Sequence, residues 1–149
     1  MKQGHEQPIE IRSADPGDAG ALAQLLGDLG YPADPLKLPD RLTRMADAGA
    51  STAMVAVIDG QLVGLATVHG RIVLHSEAPV AQLTALVVPR EMRGRGIGRA
   101  LVAESERWAA RFGARRLVVT TALHRAEAPV FYERLGFEHT GRRYVKTLE

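Results

Sequence analysis

The chain has 149 residues, of which 46% are hydrophobic and 24% charged; these totals fit one globular domain spanning residues 1–149. No cysteine occurs, so disulfides, zinc–thiolate sites and a cysteine nucleophile are excluded. The formal net charge of +2 is nearly balanced and gives no indication of nucleic-acid binding. A polar N-terminus, and the lack of any run of roughly 18 apolar residues, predict a cytoplasmic protein with no membrane partner.

The first half of the sequence predicts two helices and an antiparallel pair of strands. Asp15, Pro16 and Asp18 form a helix-start signature, with a capping side chain before a proline. Leucines then recur at helical spacing until Gly30 ends the pattern. The dipeptide Asp59-Gly60 is a hairpin signal between two apolar segments. The expected strands are residues 8–12, 54–58 and 62–68. The first expected helix begins near residue 15 and ends at 29, and the second begins at 36 and ends at 48.

The second half predicts two more strands, two helices and a terminal hairpin. Pro89 cannot continue a central ladder, so the strand over residues 82–88 must end there. A helix follows from residue 98 to a glycine cap at Gly113, with its apolar residues on one stripe. The segment over residues 70–79 gives no clear pattern. The remaining expectations are a strand over residues 117–121, a helix over 126–135 and a hairpin over 137–146, which together describe an α/β domain with a mixed sheet.

A glycine-rich turn joins the strand that ends at Pro89 to the next helix. The first turn of a helix leaves amide N–H groups unpaired, and glycines let phosphate oxygens approach them, so this junction predicts an anion site. A dinucleotide fingerprint would need a glycine at position 99, and a nucleotide P-loop would need Lys followed by Ser or Thr. Arg99 and Ala100 stand there, so neither fits. Four arginines add positive charge within ten residues: Arg90, Arg93, Arg95 and Arg99.

The spacing of Arg93, Gly96 and Gly98 resembles the coenzyme-binding motif of the GNAT acetyltransferase superfamily. His124-Arg125, Ala128 and the segment 131–137 are similar to the C-terminal motif of that family, and they follow another predicted strand. The segments 11–14 and 29–32 are similar to a bacterial branch of the same family. The resemblance therefore covers nearly the whole chain.

The resemblance implies a GNAT-like fold: a mixed, mostly antiparallel sheet that splays between two central parallel strands and is flanked by helices. It also implies acetyl-CoA as the co-substrate and no metal. The pantetheine arm would pair with the backbone after residue 85, and the pyrophosphate would rest on amides at the helix start, with arginines adding charge. The cofactor-binding residues so implied are Leu86, Val87, Val88, Arg93, Gly94, Arg95, Gly96, Ile97, Gly98 and Arg99.

The resemblance also gives Tyr132 a catalytic role, since its position in this family commonly lies near the thioester sulfur. A phenol there can donate a hydrogen bond or proton as a thiolate leaves. Many members carry a glutamate in the strand before the motif, but residues 82–85 read Gln-Leu-Thr-Ala and contain no carboxylate. The sequence leaves the base open among a water relay, Glu77, His75 and His69.

Three functions remain to be compared. The first is an N-acetyltransferase that acts on a primary amine of a small molecule or peptide by direct attack. The second is a non-catalytic acyl-CoA-binding regulatory domain, which the missing carboxylate would allow. The third is a nucleic-acid binder that uses the arginines; it ranks last, because the few aromatic residues lie mostly on apolar stripes. Family analogy alone suggests a homodimer through the terminal hairpin.

Overall fold

Five strands form one sheet in the order β1-β2-β3-β4-β5 in the computed structural model, which describes residues 7–120 and 126–148. The first three neighbouring pairs, β1–β2, β2–β3 and β3–β4, are antiparallel. The strands are β1 Glu10–Ser13, β2 Ser51–Ile58, β3 Gln61–Arg71, β4 Val80–Val87 and β5 Leu117–Val119, and the helices are α1 Ala19–Leu29, α2 Leu38–Ala48, α3 Ile97–Phe112 and α4 Glu127–Arg134. The resemblance's prediction of an α/β fold with a mostly antiparallel sheet flanked by helices is confirmed.

The chain divides into two compact units, Met1–Val118 and Val119–Glu149. The first unit contains β1 to β4, the first three helices and the start of β5; the second contains α4. Within the described ranges, none of the helices combines the length and the apolar character needed to cross a bilayer.

One face of the sheet is covered by α1 and α2. Leu22, Leu25 and Leu38 from these helices pack on Leu65 of β3 and Val87 of β4, and all five are buried. Leu22 and Leu25 are spaced three residues apart in α1, and Val55 and Val57 of the same cluster are two apart in β2, so each element presents one apolar side. The apolar contact between α1, α2 and the sheet therefore holds this face together.

The opposite face receives α3, and two glycines of β3 make room for it. A Cβ built on Gly64 would lie 2.9 Å from Leu101 Cδ1 and 3.0 Å from Ile97 Cγ2. A Cβ built on Gly70 would overlap the ring of Phe112. Because both positions lack a side chain, α3 packs close against β3, with Leu101 fully buried between them.

A polar network fixes the entry to α1. The Asp15 side chain accepts a hydrogen bond from the Gly17 N–H at 2.8 Å, and the Asp18 carboxylate accepts one from the Asp15 N–H at 2.9 Å. Both guanidinium ends of Arg12 donate to Asp18, at 2.8 and 3.0 Å, and this pairing lowers the pKa of the mostly buried Asp18. The predicted helix start is confirmed, with a short 3₁₀ turn at Pro16–Asp18 before α1.

Local signals place the turns correctly. Asp59 and Gly60 both adopt positive φ, at 50° and 78°, as the predicted two-residue hairpin requires. Gly30 and Gly113 end α1 and α3 in the left-handed conformation, also as predicted. The unclear segment over residues 70–79 comprises the end of β3 and a loop, so β3 is longer than the predicted strand.

The predicted hairpin over residues 137–146 is wrong. The described residues 137–148 form neither helix nor strand. Two strands joined by a turn are marginal in water unless they pair with a larger sheet. A turn residue such as Gly141 therefore does not suffice to specify strands in this segment.

Replacing Gly70 by alanine should destabilise the protein by about 1–3 kcal/mol, because the added methyl group overlaps the partly buried ring of Phe112, which must shift. Urea unfolding of the variant measures this loss. Gly20→Ala is the control, since a Cβ there meets nothing within 4 Å and alanine favours a helix. Equal stability of the Gly70→Ala variant and the wild type would contradict the close packing of α3 on β3.

The Arg12–Asp18 pair should make stability depend on acid pH. Because the pKa of Asp18 is lowered in the folded state, its contribution is present above its ordinary value of 3.8 and is lost as the pH falls through the lower native value. Asp18→Asn should lower the melting temperature by about 2–6 °C at pH 7 and much less at pH 2.5. Thermal melts from pH 2.5 to 7 check this; the same deficit at every pH would show that the ion pair contributes nothing.

Candidate functional site

The connection between β4 and α3 is a folded turn. Pro89 follows the strand, and a 3₁₀ turn at Arg90–Met92 is closed by a 2.9 Å hydrogen bond from the Met92 N–H to the Pro89 carbonyl. Arg93 Nε donates to the Val88 carbonyl at 3.1 Å. The Arg93 side chain thus connects the turn to the end of β4, a contact that the sequence did not predict.

Two glycines of this turn adopt the left-handed conformation. Gly94 has a φ of 83° and Gly96 a φ of 84°, and a Cβ on either would meet nothing within 4 Å. The backbone conformation, rather than crowding, therefore favours glycine at both positions. Open space also lies where a ligand atom would approach the backbone. Gly96 is the N-cap of α3, and its carbonyl accepts the Ala100 N–H at 3.0 Å.

The backbone N–H groups of residues 94–99 have no partner within the described part of the chain. No backbone or side-chain hydrogen bond from these six N–H groups occurs there, and no side chain caps the start of α3. Ile97, which is 1% exposed, fixes the first turn by packing its side chain towards Gly64 of β3. A rigid helix start with unpaired donors is an anion-binding geometry.

Positive charge surrounds these amides. Arg90, Arg95 and Arg99 are exposed, and none forms an ion pair with an acidic residue of the described ranges. Glu91 is the acidic neighbour within the turn. The surplus of cationic side chains adds a long-range attraction for an anionic ligand to the short-range donors of the backbone.

The strand leading into the turn contains a β-bulge. In the β3–β4 pairing, Thr67 lies opposite Ala85 and Val68 opposite Leu83, so Thr84 is the extra residue. Its hydroxyl lies 2.6 Å from Thr67 Oγ1 and donates to the Thr67 carbonyl at 3.1 Å. A bulge interrupts the ladder and leaves backbone groups without a regular partner. Sequence reasoning missed this feature, because it depends on the pairing of two strands.

The predicted catalytic residue Tyr132 lies on α4, in the second unit. Its ring forms edge contacts with Phe131 and Phe137, with centroid distances of 5.1 and 5.4 Å. These contacts hold the ring in an aromatic cluster of its own unit. The catalytic role of Tyr132 stays a prediction, and His124, in the same motif, falls outside the described residues.

The side chains considered as bases lie in different surroundings. His69 is half-buried on β3, and its Nδ1 lies 2.8 Å from Ser51 Oγ of β2. His75 and Glu77 are exposed on the β3–β4 loop. Glu77 also lines an open cavity of about 350 Å³ with Arg115 and Arg116, away from the start of α3. The described residues contain no group of three or more His, Asp or Glu side chains suited to a metal ion.

The sequence is similar to those of known acetyltransferases. The sequence model of the "Acetyltransferase (GNAT) family" matches residues 21–137. Aminoglycoside N(6')-acetyltransferase type 1 of Stenotrophomonas maltophilia is 35% identical over 137 residues, which cover 89% of this chain and 88% of that protein. Aminoalkylphosphonate N-acetyltransferase of Salmonella typhimurium is 33% identical over 94 residues, which cover 63% of this chain and 61% of that protein.

The fold has a solved counterpart as well. The structure of aminoglycoside N-acetyltransferase AAC(6')-Iy in complex with CoA matches with a TM-score of 0.84 at 21% identity, covering 99% of each chain. At 21% identity, this similarity shows a shared fold alone. Because the family model spans most of the sequence and a relative is 35% identical over 89% of it, the chain belongs to the GNAT family of acetyltransferases.

Proposed function

We propose that this acetyltransferase transfers the acetyl group of acetyl-CoA to the primary amine of a small molecule by direct attack. The observation that carries the proposal is the start of α3, where the amides of residues 94–99 have no partner within the described ranges. Three exposed arginines, Arg90, Arg95 and Arg99, lie in or next to this segment of the chain, and their charge favours a diphosphate.

The pyrophosphate of coenzyme A rests on the backbone amides from Gly94 to Gly98 in this proposal, since the Arg93 N–H already donates to the Arg90 carbonyl at 3.3 Å. Arg95 and Arg99 contribute charge from the exposed side of the turn. The contribution of Arg93 is indirect, because its Nε supports the turn through the Val88 carbonyl. Most of the binding energy then comes from backbone donors that are fixed before the ligand arrives, which lowers the entropic cost of binding.

The pantetheine arm follows the end of β4 in this proposal and pairs with the backbone of Leu86 to Val88. Its two amide units give it the reach of about three to four extended residues, or roughly 10–14 Å. The four positions from Val88 back to Thr84 span about 13 Å in an extended chain. The thioester therefore reaches the β-bulge at Thr84.

A small-molecule acceptor is supported by the relatives, whose names specify aminoglycosides and aminoalkylphosphonates as substrates. Both classes carry primary amines. In direct attack the neutral amine adds to the thioester carbonyl, the C–N bond forms, and the C–S bond then breaks to release a thiolate. We propose that Tyr132 donates a hydrogen bond to that sulfur as the bond breaks.

Gly96→Glu should weaken acetyl-CoA binding at least 10-fold while the fold survives, because its side chain places a carboxylate beside the amides that receive the pyrophosphate. Isothermal titration calorimetry measures the affinity, and circular dichroism checks the fold. Gly49→Glu is a matched control, since Gly49 also has a positive φ, at 73°, and open space around its Cβ, but ends α2. Unchanged affinity in the folded Gly96→Glu variant would refute the proposed cofactor site.

Tyr132→Phe should lower turnover by roughly 10-fold to 1,000-fold with little change in acetyl-CoA affinity, because the variant keeps the aromatic ring and deletes the proposed donor. The ring contacts with Phe131 and Phe137 persist in the variant, and a thermal melt measures any change in its stability. Steady-state release of thiol with a panel of amines measures the rate. A variant as fast as the wild type at saturating acetyl-CoA would leave Tyr132 with a packing role alone.

A further inference from the structure

We propose that His69 of β3 accepts a proton from the ammonium group of the acceptor, and that Ser51 of β2 is its positioning residue. The inference rests on the proposed function and supplies the base that residues 82–85 lack. It goes beyond the sequence, which leaves several candidates open, because the strand register brings together residues far apart in the chain.

His69 lies in a polar row across three strands. Ser51 of β2 pairs with His69, and His69 pairs with Gln82 of β4. Since side chains alternate along β3, His69 lies on the same face as Leu65, whose side chain packs under α1 and α2. On this face of the sheet the side chains are apolar under α1 and α2 and polar at the row. The exposed Thr67–Thr84 pair lies between these two regions.

The contact with Ser51 fixes the imidazole of His69. Ser51 Oγ lies 2.8 Å from Nδ1, and in the tautomer that donates Nδ1–H to Ser51, Nε2 carries a lone pair. Nε2 forms no hydrogen bond to any residue of the described ranges. One ring nitrogen is thus held by the protein and the other is available to a ligand.

The surroundings of the row suit the approach of an amine. Ser51 on β2, and Gln82 and Thr84 on β4, are neutral. The charged group on this face of β3 is Arg71, two positions beyond His69, and its Nη1 donates to Gln82 Oε1 at 2.9 Å. None of these described residues carries a carboxylate, which would stabilise the acceptor in its protonated ammonium form. The imidazole is then the group that can take its proton.

The distance to the proposed thioester is short. His69 lies two positions from Thr67 along β3, which corresponds to about 7 Å, and Thr67 contacts Thr84 at the bulge. An amine placed beside the bulge is therefore within reach of His69 directly or through one water. His75 and Glu77 lie beyond the end of β3, on an exposed loop, and lack a comparable fixed position.

The proton balance of the step is complete. The ammonium group transfers one proton to Nε2, and its nitrogen lone pair then forms the C–N bond with the thioester carbonyl. Collapse of the tetrahedral intermediate breaks the C–S bond, and the electron pair leaves with sulfur. The nitrogen loses a second proton, the thiolate gains one to become coenzyme A, and His69 releases its proton to solvent.

The test compares His69→Gln, Ser51→Ala and the control His75→Gln in the full-length chain. The assay uses acetyl-CoA with 2-aminoethylphosphonate, kanamycin and a panel of simple primary amines, from pH 6 to 10. His69→Gln should lower kcat/KM about 100-fold at pH 7, with unchanged affinity for acetyl-CoA. The deficit should shrink towards pH 10, where a primary amine near its own pKa of about 10 needs no base.

Ser51→Ala should lower kcat about 3-fold to 10-fold with an unchanged pH profile, because the base remains but its ring loses a fixed partner. His75→Gln should behave as wild type. A His69→Gln deficit that is absent, or that is the same at every pH, overturns the role of His69 and leaves the acetyltransferase proposal intact. If the wild type acetylates no amine while binding acetyl-CoA, the proposed transfer reaction fails, and this inference fails with it.

Discussion

The first turn of α3 has no side-chain cap, and the proposed binding of acetyl-CoA depends on the backbone N–H groups that are therefore unpaired. A helix normally satisfies its first amides with a serine, threonine or aspartate, whereas here Gly96 stands at the N-cap. The turn is held instead from within the protein, by Ile97 on β3 and by the Arg93 contact with the Val88 carbonyl. These contacts fix the position of the amide donors without forming hydrogen bonds to them. A bound anion can then accept hydrogen bonds from these amides.

The sheet serves two purposes along its length. Near α1 and α2 its side chains are apolar and closely packed, and this part supplies the stability of the first unit. Beyond the Thr67–Thr84 pair the same face becomes polar and accessible. The β-bulge lies at this boundary, where the ladder between β3 and β4 is already interrupted. The closely packed part of the sheet therefore adjoins the region proposed to bind the acceptor.

Features encoded in neighbouring residues could be predicted from the sequence. The Asp59-Gly60 turn, the glycine caps and the start of α1 each depend on a few adjacent positions, and all were predictable. The bulge at Thr84 and the Ser51–His69 contact depend on strand register, which a single sequence specifies weakly. The hairpin expected after residue 136 failed for a related reason, since strands need a neighbouring sheet that local patterns do not reveal.

The polar row has a consequence for the divergence of such enzymes. Thr84 and Arg71 are exposed, and exposed positions away from caps and cores usually change stability by no more than about 0.5 kcal/mol when substituted. The acceptor side can therefore accumulate substitutions without loss of folding. Substitutions on the proposed donor side are more restricted, because its turn depends on backbone conformations that only glycine adopts readily, at Gly94 and Gly96. The same fold can thus bind one coenzyme while related enzymes accept different amines.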